Sequence, residues 1–420
     1  MRLRNGVRVG AALAALVLAA TACSTKGDDD KKDKQSGGVK SGPGVTDTTI
    51  TLGALTDLSG PYAPLGKSIV NAQQLYVDEI NAQGGICGRK LAITVRDHGY
   101  DVQKAVAAYT EIKGGVAGFP QVIGSAVVTA LQDSLKQDRI LTFPQAWPAT
   151  LLNRSEIQIV GTTYDIDMIN GMDFLAQAAQ LKSGDKVGHV YFEGEYGENA
   201  LAGSKFAAGK LGVQIVEQKI KATDTDLTAQ IAALRGAGVK AILISAGPTQ
   251  TATLVGFGAV AGLRVPVLTS APGFHPQVMA SAAAGALEQL LYVVSAAPAI
   301  GADIPAVKKL AADYKAKYPD GTLDQGVISG YNAMKIFGED LKAACAAKDL
   351  SHAGIIAAHR QQKQMDTGLG TPEDFSDVTK PATYKSYILK PSKAAPGNLV
   401  VAKDAYEVPA AREYRLPAAG

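Results

Sequence analysis

Short, nearly continuous apolar runs alternate along the chain with stretches whose apolar residues recur every three or four positions. The runs 50–55, 91–96, 121–124 and 140–143 form one series, and 187–192, 213–218, 241–245, 265–269 and 290–295 a second. Runs of this length with little polar alternation suit parallel strands covered on both faces. Between them, Ile69, Ala72, Tyr76 and Ile80 mark one face of a helix, and Leu227, Ile231 and Leu234 another, with Asp226 as its cap and Gly236 or Gly238 as its stop. This rhythm predicts right-handed crossovers and open parallel sheets; two series predict two sheets, so the fold class is α/β. After Pro372 the rhythm gives way to short strand-like pieces, 383–389 and 399–402, among Pro/Gly turns.

Ahead of the first strand the pattern differs. Arg2, Arg4 and Arg8 precede an apolar stretch, 9–20, too short for a membrane span and closed by Ala20-Thr-Ala-Cys23. This is the pattern of an export signal over 1–22, and its end resembles a bacterial lipobox, although Ala20 stands where leucine is usual. The resemblance implies a lipid on Cys23 that anchors the chain to the cell membrane. Residues 23–44 are charged, Gly/Ser-rich and poor in apolar side chains, which predicts a disordered tether. A tether has a use between an anchor and a domain, so a lipoprotein is preferred to a plain secretory signal.

From about Val45 onward the chain could form one large domain or two ordinary ones. Its 46% hydrophobic and 19% charged residues describe a globular protein, and a net charge of +3 is too small to imply nucleic acid. Gly60-Pro-Tyr-Ala-Pro-Leu-Gly66-Lys-Ser68 approaches a phosphate loop, but it has one residue too many between its glycines, and two prolines remove N–H donors. Gly236-Ala-Gly238 precedes a strand, the reverse of a dinucleotide fingerprint. The five histidines show no metal-ligand spacing, and Asp97 at a strand end reads as a turn or capping residue. No catalysis, metal or cofactor is expected. Cys345 lies on the apolar stripe Met334, Phe337, Leu341 and reads either as a buried thiol or, in an oxidising compartment, as the partner of Cys87.

Leu58-Ser-Gly-Pro61, Ile80-Asn-Ala-Gln-Gly-Gly-Ile86, Val122-Ile-Gly-Ser125, Glu195-Tyr-Gly-Glu198 and a helix opening Gly330-Tyr-Asn-Ala333 occur in this order. Together they resemble the substrate-binding proteins of branched-chain amino acid (Leu/Ile/Val) ABC transporters, with the type I periplasmic-binding fold. The resemblance implies two α/β lobes joined by three hinge crossovers, 45–162 with 294–367 and 163–293 with 368–417. Cys87 and Cys345 then share a lobe, which favours their disulfide. It further implies a monomer that captures a small-molecule ligand in the cleft and hands it to an ABC permease. The alternative is an extracellular ligand sensor acting through a separate partner, and an exported enzyme is a distant third.

Carried onto this chain, the family's carboxylate site falls on Ser125 and Thr129, in a loop ahead of a helix over 130–137. A second loop reads Pro144-Gln145-Ala146-Trp147-Pro148, where Gln145 and Trp147 replace the usual small residues and suit an apolar, aromatic or cationic ligand. Tyr196 matches the tyrosine that closes over the ligand, Tyr62 borders the cleft, and Gly247 stands where relatives place a tyrosine. The acid that relatives aim at an ammonium group is absent from Ser270-Ala-Pro-Gly-Phe274. A buried ammonium without a counter-charge is costly, so the expected ligand is not a zwitterionic branched-chain amino acid unless Asp165 or Glu193 substitutes.

Overall fold

The structure, a computed structural model, describes residues 34–36 and 38–416. The expected export signal and Cys23 lie outside them. Strands β1 (Lys34–Ser36) and β2 (Val39–Ser41) form an antiparallel pair. The next four, β3 (Thr49–Thr56), β4 (Lys90–Asp97), β5 (Phe119–Ile123) and β6 (Thr142–Gln145), build a smaller, all-parallel sheet of order β4-β3-β5-β6. Strands β7 (Lys186–Phe192), β8 (Gln214–Ile220), β9 (Ala241–Ser245), β10 (Val267–Ser270) and β11 (Leu291–Ser295) are the parallel part of a larger sheet. After β12 (Asp349–Leu350), which pairs with β2, strands β13 (Ser386–Pro391) and β14 (Leu399–Tyr406) extend the larger sheet antiparallel beyond β11.

The helices are α1 (Ala63–Ala82), α2 (Val102–Ile112), α3 (Ser125–Asp138), α4 (Tyr164–Ala178), α5 (Glu195–Leu211), α6 (Thr228–Ala237), α7 (Pro248–Val260), α8 (Ala284–Leu290), α9 (Pro305–Lys317), α10 (Gln325–Ala346), α11 (His352–His359) and α12 (Pro409–Glu413). The α/β class is therefore borne out, with both sheets flanked by helices. Ile69, Ala72, Tyr76 and Ile80 are all buried on α1, as their spacing requires. That face packs on α10, where Gly330 is needed: a Cβ there would meet the Ile69 carbonyl oxygen at 2.6 Å. Gly330 is thus an interior residue of α10, and the helix starts earlier than expected, at Gln325, where the Asp324 carboxylate accepts from the Val327 N–H.

One apolar core lies under the larger sheet and takes residues from Tyr164 to Val294 and again from Tyr387 to Ala411. The cores around the smaller sheet take residues from Ile50 to Ile159, from Ile300 to Ala358, and also Leu369, Phe375 and Ala382. The chain accordingly passes between the two assemblies three times, near 160–163, 295–300 and 383–385.

Four local expectations are corrected. The helix placed at 130–137 begins at Ser125, because Gly124 (φ 102°) turns the chain directly out of β5. Pro144 and Gln145 belong to β6, paired with Val122 and Ile123, so the loop starts only at Ala146. The tether expected through Gly44 ends sooner: the Lys40 N–H donates to the Lys348 carbonyl and the Gly42 N–H to that of Leu350. Backbone pairing orders this segment without apolar side chains. At α6, Leu227 is the capping position, with the Asp226 carboxylate accepting from the Thr228 N–H and hydroxyl, and Gly238 ends the helix.

Cys87 and Cys345 are joined in a disulfide, with Cα atoms 5.9 Å apart and a separation of 258 positions in sequence. It ties the turn after α1 to the end of α10, and closing so long a loop restricts the unfolded chain. Replacing both cysteines by serine is expected to lower Tm by on the order of 5 °C. Calorimetry under oxidising conditions checks this, and an unchanged Tm would contradict it.

Candidate functional site

Two cavities meet between the sheets. The first, about 320 Å³ of empty space, lies at the carboxyl ends of the smaller sheet's strands, where ligands of open parallel sheets bind. Tyr62 and Leu65 reach it from the start of α1, Tyr100 from the turn after β4, and Gly124 and Ser125 from the start of α3. Gln145, Trp147, Tyr164, Tyr196 and Pro272 help complete the wall.

The loop before α1 is held by carboxylates. Asp57 accepts N–H bonds from Ser59, Gly60 and Tyr62 at 3.2, 2.5 and 2.8 Å. Asp97 accepts from the N–H groups of Leu58 and Gly99 and from the Ser59 hydroxyl at 2.9, 2.8 and 2.7 Å. Gly124 must be glycine for a second reason, since a Cβ there would meet the Tyr100 ring at 2.7 Å.

The aromatic rings form two groups in tilted or edge-on contact at the cavity wall. Tyr62 and Tyr100 lie 5.0 Å apart, Tyr164 and Tyr196 4.4 Å, and Trp147 and Tyr164 5.9 Å. Trp147 is half-buried against the cores of both assemblies, and its indole N–H donates to the Val160 carbonyl at 2.9 Å. Burial pushes the Tyr100 phenol up to about 12 and holds those of Tyr62, Tyr164 and Tyr196 well above the ordinary value. All four are therefore neutral hydrogen-bond donors. They stand beside the first N–H groups of α3, which have no acceptor within the helix.

The second cavity, about 830 Å³ and partly open to solvent, shares Leu65, Gln145, Trp147, Tyr164 and Pro272 with the first. The first two chain passages line it, through Val160, Gly161 and Thr162 and through Ala296 and Ala297, and the segment ahead of the third adds Leu369, Gly370 and Glu373. Ile328 and Asn332 of α10 add to a mostly apolar wall. Two acids stand in that wall. Burial raises Glu373 from the ordinary 4.5 to about 8 and Asp167 from 3.8 to about 6. Asp167 accepts from the hydroxyls of Thr162 and Ser386 at 2.6 and 2.8 Å. The amide oxygens of Gln145 and Gln325, also in this wall, have no protein partner, so polar groups of a ligand or water would meet them.

The structure thus brings Tyr62, Ser125, Gln145, Trp147 and Tyr196 together on one cavity wall. It places Ala146 in the core at 0% exposure and Thr129 in the second turn of α3, away from both cavities. Gly247 caps α7, and a Cβ on it would lie 3.8 Å from the Tyr62 hydroxyl. Neither acid considered as a counter-charge reaches the cavities. Asp165 is buried against Thr163 and Asn199, and Glu193 is exposed. After β10, Ala271 and Pro272 face the second cavity while the Ser270 hydroxyl bonds that of Tyr196 at 2.7 Å.

Leu65, Tyr100, Tyr164, Asp167 and Glu373 were not expected at the site. Tyr100 follows the carboxyl end of a legible strand, and Tyr164 opens the helix after the first passage; that rule of place could have flagged both. Glu373 carries no such signal.

The family model described as periplasmic binding protein matches residues 49–395. The chain is 48% identical to a fatty acid ABC transporter substrate-binding protein from Thermomonospora curvata, covering 91% of this chain and 98% of that one, with a TM-score of 0.89. A branched-chain amino acid ABC transporter protein from Thermus thermophilus, solved with bound valine, is 19% identical and shares the fold at a TM-score of 0.77, covering 89% and 99% of the two chains. The Leu/Ile/Val-binding protein BraC3 of Rhizobium johnstonii is 28% identical over 184 residues, 43% of this chain, so the chain spans about half (50%) of that relative's length.

Glu373 predicts a pH dependence. The native state holds a proton that the unfolded chain releases above the ordinary 4.5. Its stabilising contribution is therefore full below that pH and lost as pH rises through about 8. Asp165 and Asp167, raised by burial to about 6, act in the same direction, whereas His189, lowered by burial to about 3, acts oppositely below its ordinary 6.5. Glu373→Gln should flatten the fall in Tm between roughly pH 5 and 9 relative to the unaltered protein. Parallel curves in thermal melts would contradict this.

Proposed function

Because the chain belongs to the periplasmic binding protein family, among the solute-binding components of Leu/Ile/Val-type ABC transporters, we propose that its ligand is a fatty acid or a similar elongated apolar carboxylate. The family works outside the cytoplasm, binds small molecules and serves ABC permeases; its members are binding proteins, not enzymes. The observation that carries the ligand reading is the pair of joined cavities, one walled by neutral donors and the other long and mostly apolar. The substrate named for the Thermomonospora curvata protein supports it.

In this reading the carboxylate sits at the start of α3, beside Ser125 and the phenols of Tyr62, Tyr100, Tyr164 and Tyr196. Helix N–H groups and neutral hydroxyls favour an anion there. The alkyl chain passes Trp147 and Leu65 and ends beside the first two passages, where a neutral Glu373 would tolerate hydrocarbon. Burying a chain of about ten methylenes is worth roughly 8 kcal/mol before ordering costs, enough for tight binding without an ammonium site. An amino acid would bring an ammonium group that the first cavity leaves without a carboxylate.

Two lobes, 45–162 with 294–367 and 163–293 with 368–417, would close about the passages, with the third passage drawn to near 383 by the packing of Phe375 and Ala382. Across the mouth, the His275 imidazole meets the Asp324 carboxylate at 3.0 Å, which in turn accepts from the Ser68 hydroxyl at 2.8 Å. This contact joins the segment after β10 to α1 and α10 and would hold the closed form that a permease reads. A lipid on Cys23 would keep the protein at the membrane as a monomer.

Isothermal titration tests the ligand. Palmitate or oleate should bind with submicromolar affinity, and leucine, isoleucine and valine should give no heat. Micromolar binding of any of the three amino acids, with none of a fatty acid, would overturn the reading.

A further inference from the structure

Between Ala241 and Leu287 the sequence carries one formal charge, Arg264. This stretch folds into α7 and the segment leading to α8, and it exposes two large apolar side chains, Phe257 at 67% and Val260 at 87%. They border a surface groove with Ala252, Gly256, Val278 and Ala283. Exposed apolar surface of this kind, in a groove whose lining residues carry no charge, marks a binding face.

The groove does not end on the surface. Through Thr249 and Val278 it is continuous with a depression at the mouth between the assemblies. That depression abuts the tyrosine cavity through Tyr62, Leu65 and Pro272, which belong to the walls of both. A succession of adjoining depressions therefore runs from Phe257 to the inner cavities, apolar at both ends and mixed at the mouth, where His275 and Gln277 join the wall, with those three side chains as the partition.

We infer that the α7 groove is a landing site for the alkyl chain of the ligand, from which it slides past Tyr62, Leu65 and Pro272 into the closed cavity. The inference rests on the fatty-acid reading above. The continuity with the inner cavity is what assigns the groove to the ligand rather than to a protein partner. A group on the route but not at the destination stabilises the entry path in both directions. It therefore changes association and dissociation rates together and leaves their ratio alone.

Stopped-flow binding of cis-parinarate, an intrinsically fluorescent fatty acid, kept below its micelle concentration, tests this. For Phe257→Ser combined with Val260→Ser, both rate constants should fall by about tenfold, as expected for losing part of one aromatic and one aliphatic burial, with Kd unchanged within about twofold. Val400→Ser, an exposed apolar residue of β14, should leave both rates as they are. Unchanged rates in the double variant, or a weaker Kd with an unchanged association rate, would overturn the landing site while leaving the ligand reading intact. Failure of the unaltered protein to bind cis-parinarate or palmitate would overturn the ligand reading and the landing site with it.

Discussion

A carboxyl group buried beside the first two passages between the sheets favours its neutral form, and this constraint organises the rest of the site. Glu373 is 5% exposed, and burial lifts it to about 8. Ionising it there would demand a cation that the wall does not provide. The cavity it faces is mostly apolar and partly open to solvent, a wall that, in the proposed reading, suits hydrocarbon better than a zwitterion. Asp167, lifted by the same desolvation, extends that character toward the first passage.

Charge preference is graded along the joined cavities. At one end, helix N–H groups and four neutral phenols line the wall; at the other, apolar side chains surround two acids whose charged forms burial disfavours, Glu373 more than Asp167. Trp147 stands between the two, packed on both cores and bonded to the first passage through Val160. In the proposed reading, its position would couple the ligand wall to the hinge, so that a bound ligand would bias how the sheets face one another. The His275–Asp324 contact at the mouth adds a second tie between the same two assemblies.

Much of the fold was legible, because strands buried on both faces must be apolar runs and a packed helix must repeat near every fourth residue. What escaped had physical reasons. Gly124 starts α3 in one step, yet Ser-Ala-Val-Val-Thr reads as extended by side-chain preference alone. The segment Val39–Ser41 is ordered by backbone bonds to β12, which composition does not report. Five of the proposed site residues share one wall because family motifs mark strand ends. Glu373 and the third passage were illegible: residues between Leu369 and Thr383 have no period, and their place follows only from tertiary packing. The missing ammonium partner was readable as an absence, and Ala271 and Pro272 now show what stands there instead.

The central claim is that the joined cavities select an elongated apolar carboxylate over an amino acid. Mass spectrometry of small molecules released by denaturing freshly purified, unaltered protein addresses it most directly, because the protein then reports what it captured. The account predicts a long-chain fatty acid at close to one equivalent per chain. Recovery of leucine, isoleucine, valine or another polar amine at that stoichiometry would contradict it.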